Sequence, residues 1–318
     1  MPFKVVDLFS GAGGFSRGFL EAGFKLLAAL DNAPQVARTY RANFPQVVFI
    51  EDDIKNVDGE IILKAVGEKP DVVIASPPCE PYTAANVKRL KDPLDRLYSD
   101  PVGRLTLHGI RLIGDLEPKI FIIENVPQIM EGPLKESLTK EIRRIGYHEV
   151  FFNILKAEDY GSPSRRTRVF ISNVRIKPPP SKSRTVVIEA LKDLPSPNGE
   201  VPNHEYVPMS PKKFKKALRL KWGRSLVKYE GCDGKLYTNW TKLHPFRLAP
   251  PVLGNSRFIH PFETRLLTVR EHARLMGFPD HHIFLGGKDS QFDMVGEAVP
   301  VPLARSIALF VARLLSCL

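Results

Sequence analysis

The sequence predicts an α/β protein with a mostly parallel sheet and a smaller inserted domain. Three observations carry that expectation. Short apolar runs alternate with amphipathic helical segments, the pattern of a parallel sheet covered on both faces. Four of these runs end at or just before Asp31, Asp53, Cys79 and Glu124, and in an open parallel sheet such ends share one rim. From Lys177-Pro178-Pro179-Pro180 to about Pro261 the periodicity fades, and prolines, basic residues and scattered aromatics replace it. At 318 residues and 43% hydrophobic, the chain is long enough for one sizeable domain and a smaller one.

Taken in order, Lys4 to Phe9 reads as a buried strand that ends at Ser10-Gly11-Ala12-Gly13-Gly14. A helix follows, with Phe15, Phe19 and Leu20 on one face. Leu26 to Leu30 is a strand stopping at Asp31, Ala33 to Asn43 is helical, and Val47 to Ile50 is a strand before Glu51-Asp52-Asp53. Val72 to Ala75 is the strand before Cys79. Leu105 to Leu116 is an amphipathic helix, and Ile120 to Ile123 is a strand stopping at Glu124-Asn125. Two further strands are expected at Glu149 to Asn153 and Arg168 to Ser172, a helix at Val269 to Met276, and an apolar helix with a Pro-kinked start from Gly296 to Leu315.

Composition narrows the class. Three cysteines (Cys79, Cys232, Cys317) form no CxxC pair, which points to a reduced, cytoplasmic protein without structural disulfides or a metal site. No run of eighteen apolar residues occurs, so no membrane span is expected. Twenty-eight prolines against four glutamines lean toward heat adaptation. Of the net charge of +11, about +10 lies between Ile176 and His260, with sixteen Lys/Arg against six Asp/Glu. Such a segment suits nucleic acid first and a membrane surface second, or it is a solvated face without a partner.

Three local patterns carry chemistry. In Ser76-Pro77-Pro78-Cys79-Glu80-Pro81-Tyr82 the prolines fix φ at about −65° and supply no N–H, so Cys79 sits in a stiff extended turn. It is either a small core hydrophobe or a reactive thiol at a strand end. The glycine turn after the first strand has Ser16 where the dinucleotide fingerprint needs glycine, and no Gly-Lys-Ser/Thr follows. Tight glycines still let backbone approach a ligand. Asp31, about twenty residues on, suits ribose hydroxyls, which points to a nucleoside cofactor without pyrophosphate, S-adenosylmethionine. Arg166 and Arg168, two apart, share a side if extended and suit an anionic or carbonyl-bearing substrate, or they belong to a solvated turn.

In chain order, Asp7 to Phe15, Pro77-Pro78-Cys79, Glu124-Asn125-Val126, Arg166-Thr167-Arg168, Arg265 to Pro279 and Gly296-Glu297-Ala298-Val299 resemble the cytosine-C5 DNA methyltransferases. The resemblance implies a Rossmann-like S-adenosylmethionine-binding catalytic domain from residues 1–175 and 262–318, and a target recognition domain at 176–261. It implies Cys79 as the nucleophile at cytosine carbon 6, held by Pro78, with Glu124 at ring nitrogen 3 and the amine. Arg168 would hold the carbonyl oxygen, Arg166 the loop or a phosphate, and Asn125 the base or the proline-cysteine loop. For the cofactor it implies Phe9, Ser10, Gly11, Ala12, Gly13 and Gly14 around the methionine and adenine approach. Asp31 and Asn32 would lie at the ribose, Asp53 and Ile54 at the adenine, and Pro77, Leu105 and the turn Glu297, Ala298 and Val299 would close the pocket. The long stretch Glu80 to Pro101 is expected to close over DNA.

Partners implied are double-stranded DNA and a companion restriction endonuclease, for a monomer acting in the cytoplasm at the nucleoid. Two rivals remain: the same chemistry on tRNA, although the Cys-Phe-Thr insertion of that branch is absent, and a catalytically weak nucleic-acid-binding protein. Several positions depart from the family pattern: Glu80 for Gln, Tyr82-Thr83 for an aromatic-Ser pair, Ser164 for Gln, Asn32 for an aromatic, and Glu297-Ala298 for Asn-Ser.

Overall fold

The computed structural model describes residues 2–317. The chain forms two compact units. The first comprises Met1–Leu155, Thr167–Pro179 and Ala304–Leu318. In it β1 (Lys4–Leu8), α1 (Gly14–Glu21), β2 (Lys25–Asp31), α2 (Pro34–Asn43), β3 (Val48–Glu51), α3 (Gly59–Val66) and β4 (Val72–Ala75) alternate. There follow α4 (Pro93–Tyr98), α5 (Leu105–Leu116), β5 (Ile120–Asn125), α6 (Leu134–Arg144), β6 (Phe151–Lys156) and β7 (Thr167–Ser172). The sheet order is β3-β2-β1-β4-β5-β7-β6. β3, β2, β1, β4 and β5 run parallel, and β7 lies antiparallel to β5 with Glu124 opposite Phe170 and Asn125 opposite Val169.

Central strands must be apolar on both faces, and every residue of β4 and β5 is buried. Helix α5 covers one face with Ile110, Leu112, Ile113 and Leu116, each burial contributing roughly 1.5–3 kcal/mol. The chain winds outward from β1 through β2 to β3 and resumes on the other side at β4. The β1/β4 boundary is thus the switch point, where the carboxyl ends of neighbouring strands open a crevice.

The second unit comprises Lys156–Arg166 and Pro180–Leu303. It holds α7 (Val187–Leu191), α8 (Pro211–Leu218), a sheet of β8 (Ser225–Glu230), β9 (Leu236–Lys242) and β10 (Phe258–Ile259) in the order β10-β9-β8, then α9 (Val269–Leu275) and α10 (Lys288–Glu297). Residues 262–303 pack with the basic segment in this unit. The basic run Lys212-Lys213-Phe214-Lys215-Lys216, which lacks clean apolar periodicity, is helical. Ser210 Oγ accepts from the Lys213 N–H and Pro211 opens the helix, so capping supplies what the pattern does not.

Helix α11 (Val301–Leu315) ends the chain. By length and composition Lys288–Leu315 could cross a membrane. The extended backbone at Ala298 (φ −61°, ψ 152°) separates α10 from α11, however, and Leu303, Ala304, Ile307, Ala308 and Val311 are fully buried.

Candidate active site

β4 delivers the chain to Ser76-Pro77-Pro78-Cys79. The turn is held from three directions: the Ser76 N–H donates to Leu8 O (3.1 Å), Asn125 Nδ2 donates to Pro77 O (3.1 Å), and the N–H groups of Tyr82 and Thr83 both donate to Cys79 O (3.0 Å). Thr83 Oγ1 adds a third bond to that carbonyl at 2.9 Å. Asn125 is fully buried at the end of β5, and its Oδ1 accepts from the Val126 N–H (2.8 Å), so its rotamer is locked. The aromatic-Ser departure is absorbed: Tyr82 is buried and its Oη donates to Gly103 O (3.2 Å).

Glu124 and Arg168 come from the adjacent strands β5 and β7. Arg168 Nε lies 2.9 Å from Glu124 Oε1, with both side chains largely buried. The angle is poor for a hydrogen bond, which leaves that oxygen without one among the described residues. Burial pushes the Cys79 thiol up. The Arg168 guanidinium opposes this, whereas the carboxylates of Glu124 and Glu80 reinforce it, and Thr83 opposes it slightly. Burial and the two carboxylates thus favour the thiol over the thiolate at Cys79.

The glycine turn leaves β1 on the same rim. Phe9 (φ 57°), Gly11 (φ 51°) and Gly13 (φ 82°) all take left-handed backbone. For Phe9 this costs on the order of 1–3 kcal/mol. Its ring packs against Gly109, where a Cβ would stand 3.1 Å from Phe9 Cε2. Asp31 Oδ2 accepts from the Gly11 N–H (3.0 Å) and Oδ1 from the Ala33 N–H (3.1 Å). Burial pushes the Asp31 carboxyl up, and these N–H groups with that of Asn32 oppose it.

A layer the motifs do not signal lies under the turn. Ser16 Oγ donates to Asp7 Oδ2 (2.6 Å) and sits 2.6 Å from Tyr40 Oη. Burial lifts Asp7 to about 7, with Ser16 opposing and Asp31 adding. An acidic residue inside an otherwise apolar strand, nine positions before a serine in the first turn of a helix, is the available sequence signal.

These residues fit the S-adenosylmethionine implied by the motifs. Ser10 Oγ is buried without a partner among the described residues. A Cβ at Gly11 would meet nothing within 4 Å, so the space before the turn is open. Ala12 and Gly14 are buried behind it, Ile54 is buried, Leu105 is half-buried at the start of α5, and Asn32 is exposed. Asp53 is partly exposed and paired with Lys55 Nζ (3.0 Å); burial works upward on it, but Lys55 and His108 together hold it below the usual carboxylate range.

Arg166 and Arg168 part company. Arg166 is buried in the second unit, where Nη1 donates to Val252 O and Gly296 O (both 2.8 Å) and Nη2 to Glu297 O (3.3 Å). It holds the turn that carries Glu297, Ala298 and Val299, while Arg168 meets Glu124. The stretch Glu80 to Pro101 is also better ordered than a plain loop. It contains α4, and buried Arg96 donates to Leu90 O, Lys91 O and Glu131 Oε2, each at 2.7 Å, with Arg89 joining Glu131 at 3.1 Å.

Comparison with known proteins places nearly the whole chain in one family. The model of the C-5 cytosine-specific DNA methylases matches residues 3–312. A Methanocaldococcus jannaschii protein named as a type II methyltransferase is 50% identical over 311 residues, covering 96% of this chain and 97% of its own. Type II methyltransferase M1.HphI of Haemophilus parahaemolyticus is 34% identical, covering 99% and 88%. A solved E. coli prophage-encoded DNA modification methyltransferase superposes with a TM-score of 0.80 at 25% identity, covering 99% of each chain. The chain belongs to the C-5 cytosine-specific DNA methylases, enzymes that move a methyl group from S-adenosylmethionine to carbon 5 of cytosine in DNA.

Proposed function

We propose that this methyltransferase works through a covalent bond between Cys79 Sγ and carbon 6 of an extruded cytosine. The observation that carries the reading is the meeting of Cys79, Glu124 and Arg168 from three adjacent strands of one unit. Carbon 5 of an intact cytosine ring is a poor nucleophile. Addition of the thiolate at carbon 6 breaks the conjugation and leaves an enamine with nucleophilic carbon 5. S-adenosylmethionine, when bound, supplies the electrophilic methyl group. Glu124 meets ring nitrogen 3 and the amine, and Arg168 meets the carbonyl oxygen. The proton that leaves the Cys79 thiol passes, through water, to the contact between Glu124 and nitrogen 3, where it cancels one of the two negative charges that oppose Cys79 ionisation. Substrate entry therefore favours the thiolate that the free protein disfavours. A base, for which water serves, then takes the carbon 5 proton; the C5=C6 double bond re-forms, the C6–S bond breaks with its electron pair on sulfur, and Cys79 leaves as thiolate.

Phe9 to Gly14, Asp31, Asn32, Asp53, Ile54, Pro77, Leu105 and the Glu297 to Val299 turn would hold the cofactor, with Arg166 positioning that turn. Residues 1–175 and 262–318 would form the catalytic domain, and residues 176–261 would contact DNA, their excess positive charge supplying sequence-independent affinity for the phosphates. The relatives named as type II methyltransferases support a companion endonuclease for the same site, and the enzyme would act as a cytoplasmic monomer on nucleoid DNA.

The test uses duplex DNA with 5-fluorocytosine at the target, because fluorine at carbon 5 cannot leave as a proton does. With cofactor, the protein should migrate as a DNA adduct stable to denaturation, and Cys79→Ala should form none. An adduct that survives Cys79→Ala would overturn the assignment.

A further inference from the structure

The second unit carries a row of exposed rings with no role in the chemistry above. Trp222 is 43% exposed, Phe262 55% and Phe246 65%. Trp222 lies 5.3 Å from His244 at an interplanar angle of 56° and 6.0 Å from Phe262 at 90°, and His244 lies 6.2 Å from Phe246. Beside Trp222 an open pocket of about 450 Å³ is lined by Leu220, Lys221, Trp222, Lys242 and His244. The indole is fixed before any ligand arrives, since its Nε1 donates to Pro261 O at 2.7 Å. Charge identifies the occupant: residues 211–247 hold eleven Lys/Arg and two Asp/Glu. Glu263, next to Phe262, is taken up by Arg265 Nε at 3.0 Å.

We propose that this pocket is a second nucleotide site, which takes an unpaired base of the DNA against Trp222 and His244 and the flanking phosphate on Lys221 and Lys242. Paired bases hide their faces within the duplex, so aromatic side chains can stack only on bases that have left it. A base-extruding enzyme creates such bases by disrupting the helix. The proposal rests on the reading of 176–261 as the DNA-contacting segment, and the experiment separates the two.

Anisotropy of fluorescein-labelled DNA would be measured at one fixed salt concentration with a thymidine 20-mer, a fully paired duplex, and the same duplex with one bulged nucleotide. Trp222→Ala should weaken the single strand and the bulged duplex about tenfold and leave the paired duplex within about twofold. Trp222→Phe, which keeps a ring, should recover most of the loss. If Trp222→Ala binds all three probes like the parent while Lys212→Ala/Lys213→Ala/Lys215→Ala/Lys216→Ala weakens them, the pocket assignment is wrong and the DNA-contacting reading stands. If the lysine variant also binds like the parent, that reading fails with it. A change from dimer to monomer on Trp222→Ala, with DNA binding intact, would reassign the row to self-association.

Discussion

Two turns leave neighbouring parallel strands of the same sheet, and they are built on opposite principles. The turn after β1 is made of backbone: three residues in the left-handed region, an N–H from Gly11 held by Asp31, open space beside Gly11, and Phe44 packed too close to Gly13 to admit a side chain. The turn after β4 is made of side chains: prolines stiffen it, Asn125 and Thr83 anchor its carbonyls, and Cys79 answers to charges on Arg168, Glu124 and Glu80. The first should be intolerant of shape and indifferent to charge. The second should tolerate small changes of shape and respond to charge.

The largest expected contrast sets Gly13→Ala against Cys79→Ala. A Cβ at Gly13 would stand 2.3 Å from Phe44 Cε2 at a φ of 82°, so Phe44 must move and the turn with it. We expect a stability loss of about 1–3 kcal/mol and at least a tenfold loss of S-adenosylmethionine affinity by calorimetry. Cys79→Ala should leave that affinity within about twofold while transfer of labelled methyl to DNA falls by roughly 10⁴-fold or more. Equal loss of cofactor binding in both variants would erase the distinction between the turns.

A second contrast lies beneath the backbone-built turn. Asp7 is buried and lifted to about 7 from an ordinary value of 3.8. A carboxyl whose folded pKa exceeds its unfolded one contributes stability that is fully present below about pH 4 and is lost as pH rises through about 7. The parent should therefore lose stability across that window on the order of a few kcal/mol from this group. Asp7→Asn, which cannot ionise but can still accept from Ser16, should flatten that part of the curve in urea titrations at pH 4, 5, 6 and 7. An unchanged slope would mean that Asp7 titrates near its ordinary value.

The difference between the turns also explains what was legible in the sequence. Strand ends and glycines announce themselves, so β1, β2, β4 and β5 and the residues Asp31, Cys79 and Glu124 stand out before any coordinates. Helix α3 is missed although Asp58 caps it and Gly67 ends it, because its flanks give a weaker pattern than the strands. The Asp7–Ser16–Tyr40 layer is hidden because its members are 9 and 24 residues apart. The separate partners of Arg166 and Arg168 cannot be read from a spacing of two, since alternation gives direction but not the acceptor. Nor does a basic composition foretell that Trp222, His244, Phe246 and Phe262 gather in one row, because the segment before β8, the segment after β9 and the loop at Phe262 meet only in the fold.

The smallest expected effect tests the charge-built turn at its most unusual residue. Glu80 is exposed beside Cys79, and Asn86 Nδ2 donates to its carbonyl at 3.0 Å. Its carboxylate is one of the groups that push the Cys79 thiol up. Under the proposed mechanism the thiolate is the attacking form, so methylation should rise with pH through the thiol's pKa. Removing one nearby negative charge lowers that pKa, so Glu80→Gln should move the rising limb of the rate profile to lower pH. An exposed charge in water acts weakly, so the gain should be about two- to fourfold on the limb and absent on the plateau. Single-turnover rates from pH 6 to 9 read both. A uniform change at every pH would mean that Glu80 acts by touching DNA, making this turn a binding surface as well as the mount of Cys79.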